Sequence, residues 1–133
     1  MTEVAQYLMD SYYSRYKGSR NDVIPTPDQL EAGIRACPDK VVVVKEGHIK
    51  GVAIFLLLTD ESYKNLDKVD ITQVDVLLRL IPENGKNMHF ILLAADSVKT
   101  ILRGLRTTIN KVRPKTVSWW SPDFSKLHRF NLN

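Results

Sequence analysis

The chain has 133 residues, 44% of them apolar and 26% charged, with a net charge of +4. That length makes one domain able to bury a core without disulfides or metal, and the composition excludes disordered, collagenous and disulfide-built classes. The single cysteine, Cys37, excludes an internal disulfide and suits a reducing, cytoplasmic setting. No Cys/His group has zinc-ligand spacing, so no metal is expected. The opening MTEVAQYLMD carries acids and no long apolar run, so no signal peptide is expected. The longest apolar run, Val52 to Leu58, is too short to cross a bilayer, and no membrane contact is expected. Charge is uneven. Residues 98–133 hold eight Lys or Arg against one acid, Asp123, while residues 1–97 are net negative. A basic C-terminal quarter suits a phosphate-bearing ligand, a nucleic acid or an acidic partner; its plain alternative is a solvated face.

In chain order, residues 3–17 read as a helix with Val4, Leu8, Tyr12 and Tyr16 at every fourth position and Gly18 as a stop. SRNDVIPTP is a loop. Thr26-Pro27 opens a second helix, PDQLEAGIRAC, with proline in the first turn and Leu30, Ile34 and Cys37 facing inward. Val41 to Val44 is β-branched throughout, Glu46-Gly47 is a tight-turn signal, and Ile49 to Leu58 is apolar on both faces. This predicts a β-hairpin whose second strand is central in its sheet. His48 beside the turn reads as a solvated turn residue.

TDESYKNLDKVD, residues 59–70, is polar and reads as a loop. ITQVDVLLRLI places Val74, Leu77, Leu78 and Ile81 at helical spacing and predicts a helix closed by Pro82 and Gly85. MHFILLAAD is a buried strand. SVKTILRGLRTTINKVR is the clearest helix, capped by Asp96-Ser97, with Val98, Ile101, Leu102, Leu105, Ile109 and Val112 on one stripe and Lys99, Arg103, Arg106 and Arg113 largely off it. KTVSWW is a strand, and Ser-Pro-Asp then caps a predicted last helix, DFSKLHRF, with Phe124, Leu127 and His128 on one face and Phe130 closing the packing. The expected architecture is α/β (α+β): one domain over residues 1–133, a mixed sheet with helices on both faces.

This order resembles the GNAT superfamily of acyl-CoA N-acyltransferases, which has two N-terminal helices, an antiparallel meander, a strand feeding a long helix, then a further strand and helix. EVAQYLMDSYYSRYK, PDQLEAGIRAC, VVVVKE, HIKGVAIFLLL, MHFILLAAD, SVKTILRGLRTTINKVR, KTVSWW and DFSKLHRF are the counterparts, with ITQVDVLLRLI as an insert. The chain is similar in particular to short, divergent GNAT-like proteins of phage and prophage genes. The resemblance implies acetyl-CoA as cofactor, entering where the sheet parts between MHFILLAAD and KTVSWW. The family's turn before the long helix carries an Arg/Gln-x-x-Gly-x-Gly/Ala motif that brings backbone N–H groups to the CoA pyrophosphate. The matching turn here, Leu93 to Val98, holds no glycine, and Asp96 sets a negative charge where an anion should lie. Gly104 lies too far along the helix to substitute. Ala94, Ala95, Ser97, Lys99 and Arg103 are the residues left to meet the cofactor.

N-acyl transfer needs a base for the amine and an acid for the thiolate. Where much of the family has a tyrosine on the last helix, this chain offers His128, and Glu46 and His89 are the candidate bases. No nucleophile constellation is present. Three readings follow: an acyl-CoA-dependent N-acyltransferase; a GNAT-like fold without catalysis, binding a protein partner or a second copy of itself; and nucleic-acid binding through the basic C-terminal segment, with Trp119 or Trp120 stacking on bases. The third lacks a known recognition motif. Alternation along KTVSWW sends Trp119 and Trp120 to opposite faces, so one is expected beneath the long helix and the other on the opposite sheet face near the last helix; both are expected to close the core, and if one borders the cleft it is Trp120.

Overall fold

The computed structural model describes residues 3–16, 26–68, 79–120 and 126–132, apart from the side chains of residues 12–16 and 98. Two helices lead the chain, α1 (Glu3–Tyr16) and α2 (Pro27–Ala36). α2 opens on a capping box: the Gln29 N–H donates to the Thr26 hydroxyl at 3.2 Å, and the Thr26 N–H donates to the Gln29 side chain at 2.9 Å. Two donors that the first helical turn leaves without partners are thereby satisfied.

β1 (Val41–Glu46) and β2 (His48–Leu58) form the expected hairpin. Gly47 turns it at φ +80°, a conformation that carries a steric cost for any side chain. β3 (Asn87–Ala95) runs antiparallel to β2. A long helix, α4 (Val98–Val112), then crosses over to β4 (Thr116–Trp120), which is parallel to β3. β5 (Leu127–Asn131) turns back against β4, and the five strands lie side by side in chain order.

The sheet is packed on both faces, as the α/β expectation requires. On one face α1 and α2 bury Leu8, Leu30 and Cys37 against Val52, Ile54 and Ala94. On the other, Ile101 of α4 sits on Ala53, Phe55, Met88, Phe90 and Val117. The long helix reaches β1 so closely because of Gly104: a Cβ there would stand 2.5 Å from Cγ2 of Val44. Among the described residues, no helix is long and apolar enough to cross a membrane.

Three expectations are corrected. The polar segment after β2 is not all loop. Thr59 accepts the Ser62 N–H at 3.3 Å and starts a short helix, α3 (Asp60–Lys64), with a single 3-10 turn at Leu66–Lys68 behind it. The residues expected to form a last helix instead give β5 from Leu127 onward, because β4 has a second edge whose backbone groups need partners. Leu102 is 53% exposed and does not belong to the buried stripe of α4. Most of the helix predicted for ITQVDVLLRLI falls on residues 71–78, outside the described residues.

Candidate functional site

β3 and β4 stay together for only four residue pairs, from Asn87↔Thr116 to Phe90↔Trp119. β4 (Thr116–Trp120) is described for one residue beyond the last of these pairs, while β3 continues to Ala95. The β4-side edge of residues 91–94 therefore meets no strand among the described residues. The divergence coincides with a bulge. Phe55 pairs with Phe90 and Ile54 with Leu92, so Ile91 is an extra residue, and it bends the strand where the gap begins. The indole nitrogen of Trp120, at the end of β4, is buried without a hydrogen-bond partner. Such an orphan donor is costly to bury. Trp119 packs with the α4-side core while Trp120, one residue on, points to the opposite face, as expected.

The start of α4 adjoins the far end of this gap. Its cap is Ser97, whose hydroxyl accepts the Thr100 N–H at 3.2 Å. Asp96 does not cap. Its carboxylate lies 2.8 Å from the Tyr7 hydroxyl and 3.8 Å from the Lys50 ammonium, and its own N–H donates to the Lys50 carbonyl at 2.8 Å. The negative charge expected at the helix mouth is thus tied back to α1 and β2. Ala94 is buried, and Ala95, Ser97 and Lys99 follow it toward the surface. Arg103 lies one turn further on and is engaged with Glu46 at 3.2 Å. The five candidate cofactor residues therefore gather at one end of β3 and the first turns of α4.

The three candidate acid/base residues do not gather. His89 is 2% exposed, and its Nδ1 lies 2.8 Å from the hydroxyl of Ser118, which has no exposed surface. Burial first, and the Arg129 charge second, push its pKa down to about 4, with Ser118 drawing it partway back. His89 is therefore neutral at pH 7, inside the sheet and already bonded. His128 stands on β5 rather than on a helix, opposite Trp119, with the two rings stacked at 5.3 Å. Strand alternation puts His128 with Trp119 on the α4 face and His89 with Ser118 on the other. Glu46 ends β1 at the hairpin tip.

A polar cluster that sequence reasoning missed joins the opposite ends of these strands. The Asn87 amide donates to the Leu58 carbonyl at 3.1 Å and to Asp60 at 2.9 Å, and its oxygen accepts from Thr116 at 2.7 Å. Lys115 meets Asp60 at 2.5 Å. Its hydrogen bond, together with that of Asn87, holds the Asp60 carboxyl below the usual range. The cluster floors a cleft of about 460 Å³ lined also by Tyr63 and Asn131. Its groups satisfy one another, so they stitch α3, β3 and β4 together. Asn87 and Thr116 stand 29 residues apart, and no local signal announces the pair. Among the described residues no group of His, Cys, Asp and Glu could hold a metal. No protein-family model matches the chain, and no curated protein matches it.

Proposed function

We propose that the protein is a GNAT-like domain that takes an acyl-CoA thioester into the gap beside β3. The observation that carries this reading is the short pairing of the two parallel strands joined by the long helix: among the described residues β3 meets β4 only from Asn87 to Phe90. A pantetheine arm carries amide groups, and the edge at residues 91–94, which meets no strand among the described residues, is where such groups would bond as an added strand does. Ala94 leaves room for close approach, and the buried Trp120 N–H supplies a donor that lacks an acceptor. The phosphates would fall to Lys99, and to Arg103 on release from Glu46, rather than to a glycine-lined backbone cradle.

N-acyl transfer at this gap is the chemistry the resemblance implies. A second reading, binding without transfer, is favoured by the dispersal of Glu46, His89 and His128 over a hairpin tip and two opposite sheet faces. In that case the domain serves an interaction role. Amide chemical shifts during an acetyl-CoA titration test the binding they share. The expected changes cluster on Ile91 to Ala95 and on the Trp120 indole N–H. No change at millimolar ligand, or changes confined to the cleft around Asp60 and Lys115, would defeat it. Amine acylation assayed with the same protein then separates the two readings.

A further inference from the structure

α4 packs mainly on β1, β2 and β3 and reaches β4 at Val117 and Trp119, while Phe130 of β5, on the same face, stays exposed. At the edge of that core Trp119 lies against two rings of β5, His128 at 5.3 Å and Phe130 at 5.2 Å, the latter within 6° of parallel. Phe130 remains 54% exposed with one ring face against Trp119, so its other face is open. The wall beside this aromatic floor is the flank of α4. Gly104 marks the flank turned to β1, and the helical period puts Leu102 and Arg106 on the opposite flank, toward β4 and β5, with the exposed Arg113 at the C-cap beyond them. Lys99 and Arg106 stand seven residues apart on the helix, and Arg113 at its C-cap follows seven further on, a row about 21 Å long at 1.5 Å per residue. None of the three forms an ion pair among the described residues; the ion pair of α4 is that of Arg103.

We propose that this step between α4 and β4–β5 binds single-stranded nucleic acid. Bases extend the stack from the open face of Phe130, and phosphates follow the line of Lys99, Arg106 and Arg113. Two features favour this occupant. Flat rings in a parallel stack offer a surface that any base fits without sequence readout. The cations also run in a line beside the rings, matching a backbone that carries one charge per base. A second copy of the chain would bring the same three cations against one another. This site faces away from Asn87, His89 and Ser118; it shares Lys99 with the acyl-CoA reading but does not depend on it.

The test is fluorescence anisotropy of labelled oligo(dT) and oligo(rU) at several salt concentrations, with polyglutamate as competitor. Three phosphate contacts give a slope of about −2 in log affinity against log salt, so affinity should fall roughly 20-fold between 50 and 200 mM salt. Arg106→Gln should reduce the slope by about 0.7. Phe130→Ala should weaken binding at least about fivefold and leave the slope unchanged. Both side chains are exposed, and far-UV circular dichroism checks that each variant stays folded. No binding at 50 mM salt overturns the proposal. Binding indifferent to Phe130→Ala, or displaced equally well by polyglutamate, also overturns it and points to an acidic protein partner.

Discussion

Replacing His89 with glutamine should flatten the loss of stability between pH 7 and pH 5. In the folded protein the ring takes a proton only near pH 4, because burial and the Arg129 charge oppose it. In the unfolded chain it takes one near its ordinary 6.5. As pH falls through 6.5 the unfolded state gains a proton that the folded state refuses. Stability is therefore intact above about pH 7 and declines until both states are protonated. Linkage over this window gives a loss of about 2 kcal/mol at pH 5 and about 3 kcal/mol by pH 4, relative to pH 7. Glutamine does not titrate and still offers Ser118 a hydrogen-bond partner. Urea unfolding followed by tryptophan fluorescence at pH 7, 6 and 5 measures the effect, and the difference between parent and variant cancels the carboxylates they share. Parallel pH dependences for the two proteins would refute the placement of His89, as would an NMR titration putting its pKa near 6.5.

Gly104→Ala should destabilise although alanine is the better helix former. The helix gain is about 1 kcal/mol, but the new Cβ meets Val44 at 2.5 Å, an overpacking worth about 1–3 kcal/mol. Adding Val44→Ala should recover part of the loss in the same urea assay, and a single variant more stable than the parent would contradict the packing. Gly85→Ala should cost more, about 4 kcal/mol or beyond, since its Cβ would stand 2.0 Å from the Leu58 carbonyl oxygen, a backbone atom that cannot swing aside. A melting curve like the parent's would show that the approach is looser than described. Asn87→Ala strips partners from Thr116 and from the Leu58 carbonyl at once and should cost about 2–3 kcal/mol; a change under about 0.5 kcal/mol in thermal unfolding would mean the cluster does not stitch the strands.

Much of the frame was legible because it rests on periodicity and punctuation. The stripe of α4, the Thr26-Pro27 start of α2 and the Glu46-Gly47 turn are local signals, and each element formed where its signal stood. The opposite facing of Trp119 and Trp120 followed from strand alternation alone. β5 was misread because Leu127 and His128 fit three or four residues of helical spacing, and an eight-residue helix is marginal without a packed face. The competing signal was His128 and Phe130 two residues apart, but it has meaning only with Trp119 across from it. α3 was missed although Thr59 followed by Asp60 and Glu61 is a helix-start signature, because its five residues bury no side chain and so show no stripe.

The candidate site was legible in part. Ala94, Ala95, Ser97 and Lys99 lie together because they fall within six residues of one another, and the strand-to-helix junction could be found from sequence. Asp96 was assigned the wrong partner, since Tyr7 and Lys50 reach it from distant parts of the chain. The bulge at Ile91, the four-pair register of β3 with β4 and the His89–Ser118 bond are products of pairing between strands far apart in sequence.

The measurement that bears most directly on the gap beside β3 is a thermal-shift titration with acetyl-CoA, with ADP as control. Ligand at 100 times its dissociation constant adds about 2.7 kcal/mol, which moves the Tm of a domain this size by several degrees. A saturable rise is expected with acetyl-CoA and none with ADP, since the thioester arm and not the nucleotide fills the gap. No shift with either ligand at millimolar concentration would contradict it.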